Sequence, residues 1–171
     1  MSSYTKTMTQ PDTFSDIPSL KDYLDTFSPP IPYPIPPILK HIVYINLDRS
    51  TERRHQMEEM FSVYGLKAER FPAIQNDSFP ALGCAQSHLA VSKRAREQGY
   101  PQVLIMEDDF EPLVTPEEFR QKIWQIPDNG YDVVQLVLGK YRGEVIYGSL
   151  FTQVKESQMA TGYIVHERFY D

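Results

Sequence analysis

Short, almost continuous runs of apolar residues alternate with helical patterns from residue 40 onward, and this alternation limits the possible folds more than any other feature. The runs are HIVYINL (41–47), VLIM (103–106) and YDVVQLVL (131–138), and a shorter strand is expected at 68–71. Strands that are apolar along their whole length are typical of sheets covered on both faces. The sequence therefore predicts an α/β fold, a three-layer sandwich with a mostly parallel central sheet.

The first predicted helix follows the strand at 41–47. Met57, Met60, Phe61 and Tyr64 repeat at i, i+3, i+4 and i+7, which places them on one face of a helix. Gly65 then supplies the stop, because glycine readily adopts the left-handed conformation that ends many helices.

Two further helices are predicted between the remaining strands. One runs from about Leu82 to Gln98, ends at Gly99, and has an expected buried stripe of Cys84, His88, Val91 and Ala95. The other begins with the capping box of residues 115–118, which has proline at the first helical position. Its inward-facing residues are expected to be Phe119, Ile123 and Trp124.

Residues 1–39 form a proline-rich N-terminal extension ahead of the predicted domain at 40–171. Eight of the fourteen prolines lie in the first 40 residues, and six of them fall between Pro29 and Pro37. Such a stretch favours an extended, polyproline-like strap or linker. A short amphipathic helix at 17–27 is possible ahead of it, and a tail without such a helix is the alternative.

The charge balance and the cysteine content restrict the partners and the compartment. With 17 Lys and Arg against 23 Asp and Glu, the formal net charge is −6, which argues against nucleic acid as the main partner. The first 40 residues contain neither a secretory leader nor an apolar run that could span a membrane. With a single cysteine, these features predict a cytoplasmic protein.

Three adjacent acids, Glu107, Asp108 and Asp109, follow the apolar run at 103–106 without a turn. Adjacent carboxylates repel one another, so they need either open solvent or a nearby cation. The carboxyl ends of strands in an open α/β sheet are where ligands bind, and Asn46 and Arg49 stand at another such end. A phosphate-bearing substrate held through Mg²⁺ or Mn²⁺ fits this combination. A solvated loop is the alternative.

Four sequence blocks carry a family resemblance: IVYINLDRSTERR (42–54), LGCAQSHLAVSKRA (82–95), VLIMEDDFEP (103–112) and MATGYIV (159–165). In this order they resemble glycosyltransferase family 25, whose members include bacterial lipooligosaccharide galactosyltransferases and animal collagen galactosyltransferase domains. The resemblance implies a GT-A-like fold, a nucleotide-sugar donor that is usually UDP-galactose, a glycan or protein hydroxyl acceptor, and a Mn²⁺ or Mg²⁺ ion held by the acidic motif.

The resemblance also assigns roles to individual residues. Asp109 is the first expected metal ligand and Asp108 the second. The expected donor-binding residues are Asn46, Arg49, Arg53, Ser87, His88 and Glu107. The expected acceptor-side residues are Thr161, Gly162 and Tyr163. The alternatives are a surface pair for the two arginines, a core position for His88, and a core strand around Gly162. The catalytic base stays unidentified, with three acids available: Glu111, Asp132 and Glu156.

The resemblance extends over residues 40–170, whereas members of the family continue beyond the last block. We therefore expect donor binding from this chain, with sugar transfer weak or absent. The second hypothesis is a truncated, non-catalytic domain that binds a nucleotide sugar or a protein partner. An aspartate-based phosphotransferase is a weaker third, because Asp48 has the sequence context of the transferase family instead.

Overall fold

The computed structural model describes residues 34–126, 130–136, 141–145, 152–157 and 160–170. The predicted helix at 17–27 and most of the proline-rich strap lie outside these ranges. Within them, Pro37 begins a 3-10 helix, Pro37–Leu39, instead of continuing an extended strap. Ile38 and Leu39 are buried, on the N-terminal side of the boundary predicted at residue 40.

Seven strands are present in the described part of the chain. Five form a central sheet in the order β2-β1-β3-β7-β4, and two form a separate antiparallel ribbon, β5 with β6. In chain order the strands are β1 (Ile42–Asn46), β2 (Glu69–Pro72), β3 (Gln102–Glu107), β4 (Val133–Gln135), β5 (Tyr141–Val145), β6 (Thr152–Ser157) and β7 (Gly162–His166).

The central sheet is mixed, and four of its five strands run in one direction. β1 pairs in parallel with both β2 and β3, whereas β7 is antiparallel to its neighbours β3 and β4. The prediction of a mostly parallel sheet is confirmed. The alternating pattern gave no sign of the antiparallel strand. The apolar run predicted as a strand at 131–138 is a strand only at Val133–Gln135 among its described residues.

Helices cover both faces of the sheet. Because successive strand residues point to opposite faces, Tyr44 faces α1 (Thr51–Tyr64), where its ring lies 5.4 Å from that of Phe61. Val43 faces the other way and packs in one core cluster with Val91 of α2 (Pro80–Glu97). None of the helices in the described ranges has the length and apolar character needed to cross a membrane.

Helix α1 has the predicted buried face. Met57, Met60, Phe61 and Tyr64 are all buried. Gly65 ends the helix in the left-handed conformation, at φ 58°. The prediction for this helix is confirmed.

Helix α2 has a different buried face from the predicted one. The buried residues repeat every four positions and are Gly83, Ser87, Val91 and Ala95. Cys84 is exposed and His88 is half-buried, so placing both in the core stripe was wrong. The buried row consists mainly of small residues, which lets the helix pack closely against its neighbours. Cys84 and His88 instead face Glu107, the last residue of β3.

Helix α3 (Pro116–Trp124) begins with the predicted capping box. Thr115 accepts a hydrogen bond from the backbone N–H of Glu118, and the Glu118 carboxylate accepts one from that of Thr115. Trp124 was expected to face inward, but 46% of its surface is exposed. The helix buries Arg120 beside Phe119 and Ile123 instead.

Candidate functional site

A cleft of about 340 Å³ lies beyond the carboxyl ends of β1 and β3. Three parts of the chain line it: the end of β1 with the segment and helix that follow, the loop that enters α2 with the first turns of α2, and the acidic motif at the end of β3. The lining side chains with ionisable groups are Arg49, Arg53, Asp77, Cys84, His88, Glu107, Asp108 and Asp109. The two predicted arginines and all three acids of the motif therefore line one cleft.

Asp108 lies at the centre of the polar contacts in the cleft. Its Oδ2 accepts a 2.7 Å hydrogen bond from Nδ2 of Asn46, which is buried at the end of β1. Its Oδ1 accepts a 3.0 Å hydrogen bond from Nη1 of Arg53 in α1. This hydrogen bond, followed by the charge of Asp108, raises the pKa of Arg53. Both carboxylate oxygens therefore already have partners within the protein.

Arg70 is a site residue that sequence reasoning missed. It stands opposite Tyr44 in the parallel pairing of β2 with β1. Its Nε donates to Oδ1 of Asn46 at 2.9 Å, and its Nη2 donates to the Asn46 carbonyl at 3.1 Å and to Asp48 at 2.6 Å. Arg70 thereby orients the amide of Asn46 so that its NH₂ group points at Asp108. No short motif marks this residue, because its position depends on strand pairing.

Asp109 is the member of the acidic motif that best fits a hard cation. It lines the cleft and is exposed, whereas each oxygen of Asp108 already accepts a hydrogen bond. Oxygen ligands suit Mg²⁺ and Mn²⁺, which usually keep several waters and bind through one or two carboxylates. The donor set is consistent with the predicted order, Asp109 before Asp108, and the assignment stays a prediction.

Glu107 points toward α2 and lies within a chain of hydrogen bonds. Its Oε1 is 2.9 Å from Nε2 of His88 and accepts a hydrogen bond from the Cys84 thiol at 3.3 Å. Nδ1 of His88 lies 3.0 Å from the Tyr163 hydroxyl. Because a carboxylate only accepts, Nε2 of His88 must carry a proton.

The three neighbours of this histidine have shifted pKa values. The hydrogen bond from His88 is the largest cause that holds the pKa of Glu107 below its ordinary value. Burial, followed by the hydrogen bond to Glu107, raises the pKa of the Cys84 thiol to about 11. Burial, followed by the charge of Glu107, raises the pKa of Tyr163 to about 12. The thiol and the phenol are therefore protonated at neutral pH.

Ser87 supports the wall of the cleft by hydrogen bonds within the protein. Its hydroxyl donates to the Gly83 carbonyl at 2.8 Å and accepts from the backbone N–H of Ile74, also at 2.8 Å. A Cβ added at Gly83 would lie 2.4 Å from the Ile74 carbonyl oxygen, so only glycine allows this approach. Arg49 is exposed and forms an ion pair with Asp77, with 3.5 Å between Nη1 of Arg49 and Oδ1 of Asp77.

The predicted acceptor-side residues lie on or beside β7, behind the acidic motif. The Thr161 carbonyl accepts a 2.8 Å hydrogen bond from the backbone N–H of Glu107. Gly162 packs directly against the ring of Phe110. Tyr163 reaches the cleft residues through His88. The three support the acidic motif, and none is among the residues that line the cleft.

Two of the three acids considered as the catalytic base lie in parts of the chain that do not line the cleft. Asp132 precedes β4, at the opposite edge of the sheet, and pairs with Arg168 at 3.0 Å. Glu156 lies in the β5–β6 ribbon and pairs with Arg142 at 2.5 Å. Glu111 is exposed and lies two residues beyond Asp109.

The chain is similar to several known proteins. The chain is 31% identical over 129 residues to a Glycosyltransferase 25 family member of Drosophila pseudoobscura pseudoobscura and 33% identical over 104 residues to one of Anopheles gambiae. A third, of Aedes aegypti, is 27% identical over 150 residues. The predicted resemblance to glycosyltransferase family 25 is confirmed. No protein-family model matches the chain.

These alignments cover 57%, 44% and 68% of this chain, but only 21%, 18% and 24% of the three relatives. The chain therefore spans about a fifth of the length of the curated family 25 relatives it matches.

Proposed function

We propose that the chain provides the donor-binding part of a metal-dependent glycosyltransferase that moves a hexose, galactose, from a UDP-linked donor to a hydroxyl acceptor. One observation carries the proposal. Arg53, Asp108 and the exposed Asp109 line a cleft at the carboxyl edge of the sheet, and Asp108 is hydrogen-bonded both to Arg53 and to the buried Asn46 behind it. The α/β architecture and the resemblance to family 25 support a GT-A-type fold for this domain.

The residues of the cleft suit a diphosphate leaving group. Negative charge grows on the diphosphate as the sugar departs, so groups that neutralise it lower the barrier. Arg49 and Arg53 line the cleft, and guanidinium groups bind phosphate in a bidentate manner. A Mn²⁺ or Mg²⁺ ion, when bound by Asp109, would supply Lewis-acid stabilisation of the same charge. Asn46, which Arg70 orients, holds the adjacent Asp108 in place.

The first experiment is calorimetry of UDP binding, with Mn²⁺ and with a chelator. We expect tighter binding with Mn²⁺, because the cation links the acidic motif to the diphosphate. Equal affinity in the two conditions would contradict the metal assignment.

Asp109→Asn should abolish the enhancement by Mn²⁺, because an amide is a neutral and poorer metal ligand. Glu111→Gln is the matched control, since it removes one negative charge from a neighbouring exposed residue. We expect this control to keep the enhancement. If the Asp109→Asn variant binds UDP with Mn²⁺ as well as the parent does, the metal ligand lies elsewhere.

A second candidate is a domain that binds the nucleotide sugar without transferring it. The positions of Asp132 and Glu156 away from the cleft favour this candidate, because they remove two of the three acids considered as a base. A radiolabelled UDP-galactose assay with hydroxyl acceptors separates the two. Labelled acceptor product, or slow hydrolysis of UDP-galactose with water as the acceptor, supports the transferase, and UDP binding with neither supports the second candidate.

A further inference from the structure

One cluster in the cleft combines three different kinds of metal ligand. The Cys84 Sγ, a ring nitrogen of His88 and a Glu107 carboxylate oxygen all lie within 4.8 Å of one another. We propose that these three side chains form a Zn²⁺ site, distinct from the hard-cation position at Asp109. The proposal does not depend on the transferase function, because it rests on these ligand atoms alone.

The backbone already holds the three ligands in a suitable arrangement. Cys84 and His88 are four residues apart on α2, so they share one face of the helix, as zinc-binding histidine pairs at that spacing do. Glu107 ends β3 and faces them. Two elements of regular structure therefore supply all three ligands.

The two separations that involve Glu107 need only small adjustment. A tetrahedral zinc ion separates thiolate sulfur from carboxylate oxygen by about 3.6 Å, and imidazole nitrogen from carboxylate oxygen by about 3.4 Å. The corresponding separations here are 3.3 Å from Cys84 and 2.9 Å from His88. Rotation of the partly exposed Glu107 side chain can supply the difference.

The ligand types select zinc over the cation expected at Asp109. Thiolate and imidazole suit Zn²⁺, whereas carboxylate, carbonyl and water suit Mg²⁺ and Mn²⁺. Three protein ligands with a fourth position open to the cleft are the arrangement of zinc sites that also bind water or a small ligand.

Tyr163 completes the surroundings of the site. A metal-bound histidine keeps its orientation through a hydrogen bond at its other ring nitrogen. The Tyr163 hydroxyl lies 3.0 Å from Nδ1 of His88 and can accept that bond. On zinc binding the thiol proton of Cys84 passes to solvent, and the imidazole proton is relocated from Nε2 to Nδ1. The bonds from zinc to the three side chains would then take the place of the two hydrogen bonds that Cys84 and His88 make to Glu107.

The experiment measures zinc binding directly, by equilibrium dialysis with metal analysis and by competition with a chromophoric chelator. We expect one tight Zn²⁺ per chain in the parent. Cys84→Ser and His88→Gln should each weaken it by more than about 100-fold, and Tyr163→Phe by roughly 10-fold. Circular dichroism of each variant checks that the fold is kept.

His55→Gln is the matched control. His55 also lies on a helix with its Nε2 near a carboxylate, 3.3 Å from Glu59, but the single thiol of the chain, that of Cys84, belongs to a different helix. We expect this variant to bind zinc like the parent. Co²⁺ in place of Zn²⁺ should give a thiolate charge-transfer absorption that Cys84→Ser abolishes.

Three results would overturn the proposal: no tight zinc in the parent, equal zinc affinity in the parent and Cys84→Ser, or a loss in His55→Gln as large as in His88→Gln. Because the readout is zinc binding, its failure leaves the Mn²⁺-dependent binding of UDP unaffected, and the two proposals fail separately.

Discussion

Gly162→Ala should destabilise the protein through one contact that can be identified in advance. A Cβ at this position would lie 2.5 Å from Cδ2 and from Cε2 of Phe110. Carbon atoms pack at about 3.5–4.0 Å, so the ring must retreat by roughly 1 Å. Phe110 is buried and follows Asp109 directly, so its movement strains the segment that carries the acidic motif. Such overpacking costs about 1–3 kcal/mol.

Urea denaturation of the full chain measures this cost. With an m value of about 2 kcal/mol per molar, the midpoint should fall by about 0.5–1.5 M. Phe110→Leu shortens the opposing side chain, so the double variant Gly162→Ala/Phe110→Leu should be more stable than the sum of the single effects predicts, by at least about 0.5 kcal/mol. An unchanged midpoint for Gly162→Ala, or strict additivity in the double variant, would refute the steric argument.

Three further substitutions test other contacts, each by chemical denaturation. Ser87→Ala removes the acceptor for the backbone N–H of Ile74 and should cost about 0.5–1.5 kcal/mol, because one partly buried hydrogen bond is lost. Arg120→Met keeps much of the apolar stem but removes the 2.8 Å hydrogen bond to the Tyr64 carbonyl at the end of α1, and it should cost about 1–3 kcal/mol. Thr115→Ala removes the N-cap of α3 and should cost about 0.5–2 kcal/mol, whereas Thr115→Ser should be nearly neutral.

The features that followed from the sequence are those set by local periodicity and local chemistry. The buried face of α1 and its end at Gly65 follow from apolar spacing and from the backbone freedom of glycine. The capping box of α3 follows from side-chain chemistry within four residues. The face of α2 could not be found in this way, because one of the two hydrogen bonds that satisfy the buried hydroxyl of Ser87 comes from Ile74, thirteen residues earlier.

The same distinction between local sequence and distant contacts applies to the residues of the candidate site. Residues just beyond the end of a strand, such as Asp108 and Asp109, could be placed at the cleft because strand ends meet at one edge of a parallel sheet. Arg70 could not, since its contact with Asn46 depends on the register between β1 and β2. The four-residue spacing of Cys84 and His88 was present in the sequence. Their orientation toward Glu107 required knowledge of which face α2 buries.

The position of β7 between β3 and β4 also has a consequence for synthesis of the chain. β3 carries the fully buried run Val103–Met106, and one of its edges pairs with β7, which begins only at residue 162. At about 5–20 residues per second, ribosomes need on the order of several seconds to add residues 108–161. Throughout that interval the most apolar strand of the sheet has an unpaired edge, the kind of surface on which nascent chains aggregate and chaperones act.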